Sequence, residues 1–235
     1  MNKRALIMNS GGVDSATCLA LAVKRLGAAN VDTIAFNYGQ RHKHELQCAE
    51  RLAKYYGVSF RVIDLTASGI FSDTACTLFD GAEGEVPKDS FDKQREQNGD
   101  SIPSTYVPFR NGLFLAVAGA VAMSIHPDCE TEVYFGAHKV DETMQGGFHG
   151  DSGKAFVKAM NSALQMGTFG RVKVVAPFGR VSKAGLVKRG LKMKVPYELT
   201  WSCYEGAEKP CGVCGTCIER REAFEANGAV DPATK

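Results

Sequence analysis

Apolar and polar positions follow two alternating patterns in the first 65 residues. Short continuous apolar runs predict three strands, and apolar residues spaced three and four apart predict two helices between them. The predicted strands are residues 5–9, 31–38 and 59–65, and the predicted helices are residues 14–27 and 43–57. Both helical patterns stop at a glycine, Gly27 and Gly57, which is a common helix end.

Residues 66–104, called the insertion below, interrupt this pattern. They are rich in Ser, Asp, Gly and charge, and they predict a long loop with a short helix, a length that is uncommon unless it serves a function. The alternation then resumes with predicted helices at 110–125, 154–165 and 182–191, predicted strands at 132–137 and 172–177, and a last predicted helix at 217–227. Strands that alternate with amphipathic helices predict an α/β, Rossmann-like fold, a parallel sheet covered by helices on both faces.

Composition narrows the class of protein. The 235 residues are 44% hydrophobic and 23% charged, which is sufficient for a full core. The longest apolar run, residues 112–123, is shorter than the roughly 18 residues of a membrane span, and the opening "MNKRAL" lacks the apolar run of a signal peptide. The net charge of +2, with both signs interspersed, gives no reason to expect a nucleic-acid or membrane surface. We therefore expect small-molecule partners.

Cysteine usage points to a reducing compartment, the cytoplasm. Four of the eight cysteines are scattered singly, and the other four fall within fifteen residues. The scattered ones are Cys18, Cys48, Cys76 and Cys129, and the clustered ones are Cys203, Cys211, Cys214 and Cys217. Without a secretory signal, this placement favours free thiols over a disulfide framework.

The cluster has the spacing of a metal site. Four thiolates can close a tetrahedral shell around Zn²⁺, and Gly212 and Gly215 let the short loops turn around the ion. Because four sulfurs leave no open position for water, we expect such a zinc to be structural. Redox-active thiols and an iron–sulfur cluster are the alternatives.

The hexapeptide "SGGVDS", residues 10–15, follows the first predicted strand and is called the glycine turn below. In a parallel sheet this position faces the ligand crevice, where glycines allow close approach to a ligand and a helix start attracts phosphate. No lysine with a following serine or threonine completes a Walker loop. The alternative is a tight turn in which Asp14 or Ser15 only caps the helix.

The pattern S-G-G-x-D-S resembles the PP-loop of the ATP pyrophosphatases, which split ATP between its α and β phosphates and adenylylate a substrate oxygen. Further segments make most of the chain similar to the 7-cyano-7-deazaguanine synthases, the QueC family. These segments are "IMNSGGVDS" (7–15), "YGQRH" (38–42), "STYVPFRNGLFL" (104–115), "GAH" (136–138), "PYELTWSCYEG" (196–206) and "KPCGVCGTCIER" (209–220).

This resemblance implies a fold and a reaction. The implied fold is a Rossmann-like nucleotide-binding core of the PP-loop (HUP) type over residues 1–195, a zinc-binding tail over residues 196–235, and a homodimer. The implied reaction uses Mg²⁺ and ATP to adenylylate the carboxylate of 7-carboxy-7-deazaguanine. Ammonia then gives an amide, and a second ATP converts the amide to the nitrile.

The resemblance also implies site residues. We expect catalytic roles for Asp14, Arg110 and Lys183, with Asp14 acting through Mg²⁺. The expected ATP-binding residues are Met8, Asn9, Ser10, Gly11, Gly12, Val13, Asp14, Ser15, Ala16, Thr17, Cys18 and Gln40. The expected substrate-binding residues are Tyr38, Arg41, His42, Asn111, His138, Asp141, Phe148, His149 and Asp151. Asp141 and Asp151 are the candidates for reading the base, with loop stabilisation or helix capping as the alternative for each.

One segment departs from the family pattern. Where relatives carry Y-P-D-C, this chain reads "MQGGFHGDSGKAF" (144–156), so that Asp151 aligns but proline and cysteine become Gly150 and Ser152. A changed acceptor is therefore an alternative, as in relatives found with antiphage defence genes that are thought to join the activated deazaguanine to a protein amine. A sulfur-transferring enzyme and a non-enzymatic zinc module are weaker alternatives.

Overall fold

The computed structural model describes residues 2–41, 43–79, 82–99, 102–139 and 150–234. Five strands form one parallel sheet in the order β3-β2-β1-β4-β5. The strands are β1 (Lys3–Met8), β2 (Val31–Asn37), β3 (Ser59–Asp64), β4 (Glu130–Tyr134) and β5 (Val172–Val175). The helices are α1 (Val13–Leu26), α2 (His44–Tyr56), α3 (Phe91–Asn98), α4 (Arg110–Ile125), α5 (Lys154–Gly167), α6 (Lys183–Lys192) and α7 (Gly215–Glu225). The predicted α/β architecture is confirmed.

Helices cover both faces of the sheet, as the side-chain alternation along β1 requires. Leu6 and Met8 join the apolar core beneath α4, whereas Ala5 and Ile7 join the core beneath α1 and α6. Since successive side chains of a strand point to opposite faces, a central strand buried on both sides reads as a continuous apolar run. This is the reason that the run at the start of the chain predicts a strand.

The most apolar segment of the chain forms a core helix. Helix α4 contains residues 112–123 and buries Phe114, Leu115, Ala118 and Ala122. Among the helices that the structure describes, none is both long and apolar enough to cross a membrane.

The predicted strand at residues 132–137 is shifted in the structure. Strand β4 begins at Glu130 and stops at Tyr134. The chain then turns at Gly136, where a Cβ atom would lie 3.1 Å from the backbone nitrogen of Ser15. The close approach of the chain to the start of α1 therefore ends the strand early.

The insertion contains the predicted short helix, α3, and packs on the cysteine-rich loop. Asp89 N donates to Val213 O at 2.9 Å, and the ring of Phe91 fills the space beside Gly215, 2.8 Å from where its Cβ would be. At its other end the insertion contacts the segment after β2, through a backbone bridge between Gln40 and Phe79. The insertion therefore joins the carboxyl edge of the sheet to the cysteine cluster.

Gly190 allows α6 to pack closely against Tyr197. A Cβ there would lie 1.7 Å from the buried Tyr197 hydroxyl oxygen. We expect Gly190→Ala to lower the free energy of unfolding by about 1–3 kcal/mol, the usual cost of overpacking. The control is Gly167→Ala, which adds its methyl group to open space. Equal stability of both variants in urea denaturation would contradict this packing.

Candidate active site

Two adjoining cavities open at the carboxyl edge of the sheet. The main cavity, of about 270 Å³, extends from the glycine turn past the ends of β1 and β2. The second cavity, of about 300 Å³, extends toward α3 and α7. The residues lining both cavities are Asp14, Gly136, Ser152, Lys183, Arg110, Tyr204 and Thr216. The three residues with predicted catalytic roles therefore lie on the shared wall.

The glycine turn presents an uncapped helix start to the main cavity. Helix α1 begins after Gly12, and no side chain of the described residues caps it. The alternative in which Asp14 or Ser15 serves as the cap is therefore wrong. Asn9 instead holds the turn, since its Oδ1 accepts from Gly11 N at 3.2 Å and its Nδ2 donates to Ala49 O at 2.9 Å. An uncapped helix start that faces a cavity can receive an anion.

The two glycines of the turn have different structural surroundings. Gly11 has a positive φ of 75°, and a Cβ there would lie 2.3 Å from the Glu45 carbonyl oxygen. Close packing against α2 therefore requires glycine at this position, whereas the sequence suggested close approach to a ligand. Gly12 does line the main cavity.

Four ionisable side chains form a closed set, called the ion ring below: Asp14, His138, Lys183 and Glu219. Lys183 Nζ lies 2.8 and 3.0 Å from the two oxygens of Asp14 and 3.4 Å from Glu219 Oε2. The His138 ring joins the same two carboxylates, with Nδ1 3.0 Å from Asp14 Oδ2 and Nε2 2.9 Å from Glu219 Oε1. Each carboxylate thus contacts both a lysine and a histidine.

These contacts keep the ion ring charged. Burial opposes ionisation of all four groups, but the partners outweigh it. Lys183 and His138 hold the pKa of Asp14 well below its usual range and lower that of Glu219 to about 2. The two carboxylates raise the pKa of His138 to about 9 and that of Lys183 well above its usual value. Two positive and two negative charges therefore line the second cavity at neutral pH.

The ion ring predicts a pH dependence of stability. Because the pKa of His138 rises from its usual 6.5 to about 9 on folding, its contribution is fully present below pH 6.5 and is lost as the pH rises through 9. We expect the thermal midpoint to fall between pH 6.5 and 9.5 by more in the native protein than in His138→Gln. Identical falls in the two proteins would contradict the paired imidazolium.

Arg110 is the first residue of α4, and its side chain contacts an aromatic ring. Its guanidinium donates to the Tyr38 hydroxyl at 3.3 Å and lies 5.8 Å from the centroid of the Tyr38 ring. Burial opposes its charge, but the neighbouring Tyr38, Tyr204 and Asp151 raise its pKa above the usual value. Arg110 therefore supplies a permanent positive charge to both cavities.

Asp151 lies beside the same helix start and caps it. Its Oδ2 accepts from Asn111 N at 3.4 Å, and Asn111 Nδ2 donates to its carbonyl oxygen at 3.3 Å. Asp151 lines neither cavity, whereas the neighbouring Ser152 lines both. The geometry thus favours the capping alternative for this residue.

Several predicted site residues are buried or hydrogen-bonded within the fold. Ala16, Thr17 and Cys18 lie on the buried side of α1, where the Thr17 and Tyr197 hydroxyl oxygens are 2.8 Å apart. Arg41 donates to the carbonyl oxygens of Phe79 and Ala82 in the insertion. Gln40 lines the main cavity, but its side-chain amide is already hydrogen-bonded. Its Oε1 accepts from Tyr38 N and its Nε2 donates to Phe36 O. Four predicted site residues lie outside the described residues and stay predictions: His42, Asp141, Phe148 and His149.

Sequence reasoning missed four residues that complete the walls: Glu45, Trp201, Tyr204 and Glu219. Trp201 N donates to the carbonyl oxygen of Gly11 at 2.9 Å, so the C-terminal segment holds the glycine turn directly. Trp201, Tyr204 and Glu219 lie inside the quoted family segments, which is the signal that could have singled them out.

The cysteine cluster is gathered in space. The sulfur atoms of Cys203, Cys211, Cys214 and Cys217 all lie within 4.8 Å of one another, so the cluster could hold a metal ion. Cys211 N donates to Cys203 Sγ at 3.3 Å and Cys214 N to Cys211 Sγ at 3.3 Å. Backbone donors of this kind stabilise thiolates, which are the forms that bind metal.

Comparison with known proteins identifies the family. The family model described as "Queuosine biosynthesis protein QueC" matches residues 4–228. The chain belongs to the QueC family. Its relatives include the "7-cyano-7-deazaguanine synthase" of Marinomonas sp. (strain MWYL1), 36% identical over 99% of this chain and 98% of that protein. The protein of the same name from Archaeoglobus fulgidus is 39% identical over 97% of this chain and 89% of its own length.

A solved structure shares the fold of this QueC family member. The NMN synthetase from Francisella tularensis aligns with a TM-score of 0.50 at 13% identity, covering 98% of this chain and 80% of that protein. At this identity the likeness shows the fold alone.

Proposed function

We propose that this chain is an ATP-dependent ligase that converts 7-carboxy-7-deazaguanine and ammonia to 7-cyano-7-deazaguanine, with release of AMP and pyrophosphate. The observation that carries the proposal is the shared wall of the two cavities, where Arg110 and Lys183 face the uncapped start of α1. Membership of the QueC family and the names of its relatives supply the substrate. The homodimer implied by the resemblance stays a prediction.

ATP would place its polyphosphate at the shared wall. The start of α1, the guanidinium of Arg110 and the ammonium of Lys183 would together offset the charge on the departing pyrophosphate. The adenosine would occupy the main cavity, whose apolar walls include Phe36 and Phe114, stacked at a centroid distance of 4.0 Å. Exclusion of water from this site during the reaction would protect an acyl adenylate from hydrolysis.

The chemistry needs no nucleophile from the protein. A carboxylate oxygen attacks the α-phosphorus, and the bond to the bridging oxygen breaks to release pyrophosphate. Ammonia attacks the carbonyl carbon, AMP leaves with the carboxylate oxygen, and one proton goes to solvent. The amide oxygen then attacks the α-phosphorus of a second ATP and releases a second pyrophosphate. Loss of AMP leaves the nitrile, and the two amide protons go to solvent. Binding and alignment are therefore the main tasks of the site.

Asp14 fits the Mg²⁺ that accompanies ATP. Its Oδ1 is buried and accepts no hydrogen bond from the described residues, although Lys183 Nζ lies 2.8 Å away. A hard carboxylate oxygen beside a polyphosphate is a typical partner for Mg²⁺, which would neutralise charge on the leaving pyrophosphate.

The cysteine cluster fits structural Zn²⁺. Tetrahedral Zn–S bonds of about 2.3 Å place sulfurs about 3.8 Å apart, which agrees with four sulfurs that all lie within 4.8 Å of one another. Cys203, Cys211, Cys214 and Cys217 would hold the ion, and none of them lies in the shared wall. The ion would therefore stabilise the C-terminal segment and take no part in the reaction.

Identification of the reaction products tests the proposal. The protein is incubated with Mg-ATP, 7-carboxy-7-deazaguanine and ammonium, and the mixture is analysed by mass spectrometry. We expect AMP, pyrophosphate and the nitrile, with the amide as an intermediate. Release of pyrophosphate without amide or nitrile would contradict ammonia as the acceptor, and no nucleotide cleavage would contradict the ligase.

A further inference from the structure

We propose that Glu219 is a positioning residue, which holds His138 and Lys183 in place for the adenylation step. The inference rests on the proposed function and adds to it a side chain from the helix that carries the last cysteine of the cluster. Glu219 lines the second cavity, as does Asp14 of the glycine turn.

The geometry gives Glu219 one contact with each of the two positively charged members of the ion ring. Its Oε1 lies 2.9 Å from His138 Nε2, and its Oε2 lies 3.4 Å from Lys183 Nζ. With Asp14 on the other ring nitrogen, the His138 imidazole is fixed at both ends and cannot rotate about its bond to the chain. Lys183 is likewise held between two carboxylates, so Asp14 does not alone determine where the ammonium lies.

The position of Glu219 is itself fixed by its neighbours along α7. The next residue, Arg220, is buried and donates from Nε and Nη2 to Asp231 at 2.7 and 2.9 Å. Two residues earlier, Cys217 belongs to the cysteine cluster. A buried bidentate ion pair and the cluster together prevent rotation of the helix, so Glu219 remains directed at the ion ring.

Loss of Glu219 is expected to affect the alignment of Lys183 more than the binding of ATP. Arg110, Lys183 and the start of α1 still attract polyphosphate when the carboxylate is removed, so the binding of ATP in its ground state changes little. Alignment of Lys183 with the leaving pyrophosphate is lost, and a displacement of about 1 Å can cost about 100-fold in rate. Removal of Glu219 should therefore lower kcat with little change in KM for ATP.

The test compares Glu219→Ala and Glu219→Gln with Glu222→Gln, an exposed carboxylate on the same helix. The rate of AMP formation from ATP, with 7-carboxy-7-deazaguanine and ammonium present, gives kcat and KM for ATP. Metal content and melting temperature are measured on the same samples. We expect kcat to fall about 100-fold in Glu219→Ala and about tenfold in Glu219→Gln, which keeps an oxygen for His138. KM for ATP should change less than about twofold, the metal should be retained, and Glu222→Gln should match the native protein.

Three results would overturn the inference. They are native kcat in Glu219→Gln and Glu219→Ala, a rise in KM for ATP that accounts for the whole loss, or a loss of activity that parallels loss of metal in both variants. An inactive native protein would instead contradict the proposed function, so the two failures are distinguishable.

Discussion

Lys183→Met is expected to lower kcat/KM for AMP formation by about 10²–10³-fold, the usual cost of removing one preorganised charge from a reacting group. The methionine keeps the length and apolar stem of lysine but has no charge to offer the pyrophosphate. The ammonium is held 2.8 Å from Asp14 at the start of α6, so it needs no reorganisation when the polyphosphate arrives. Its loss should affect the reaction more than the fold.

The matched control is Lys188→Met, an exposed lysine on the same helix. It removes an equal charge and should leave kcat/KM within about twofold of the native value, because exposed charges are strongly screened. If both variants lose activity equally, net charge and not the ion ring governs catalysis.

Cys214→Ser is expected to abolish metal binding and to leave little soluble protein. Cys214 is fully buried, and its loop pairs with Lys88 of the insertion while the next residue packs on Phe91. Because binding energy at a structural zinc site is folding energy, the C-terminal segment should lose its order when one thiolate is lost. That segment holds the glycine turn through Trp201, so activity should disappear as well.

Cys129→Ser provides the comparison, since Cys129 is only partly buried and stands outside the cluster. It should retain one zinc per chain by elemental analysis and a native melting temperature. One metal per chain in Cys214→Ser would contradict the four-thiolate site.

Local patterns were sufficient for the fold. The alternation of Leu6 and Met8 with Ala5 and Ile7 encodes a central strand, and the spacing of Cys211, Cys214 and Cys217 encodes the cysteine cluster. The end of β4 was missed because it depends on the approach of Gly136 to α1, which no local pattern records.

The candidate site was predictable only in part. The glycine turn follows from one strand and one helix, but the pairing of His138 with Glu219 joins residues 81 positions apart. The charge pattern and residue spacing along the chain do not predict that contact. Likewise, Asp151 reads equally well as a base-reading carboxylate or a cap, and only its contact with Asn111 favours the cap.

The central claim is that a substrate carboxylate attacks the α-phosphorus of ATP at the wall formed by Asp14, Arg110 and Lys183. The most direct measurement uses 7-carboxy-7-deazaguanine with ¹⁸O in both carboxylate oxygens and mass spectrometry of the nucleotide and pyrophosphate products. The account predicts one ¹⁸O in each AMP and none in pyrophosphate. Unlabelled AMP, or label in pyrophosphate or orthophosphate, would contradict it.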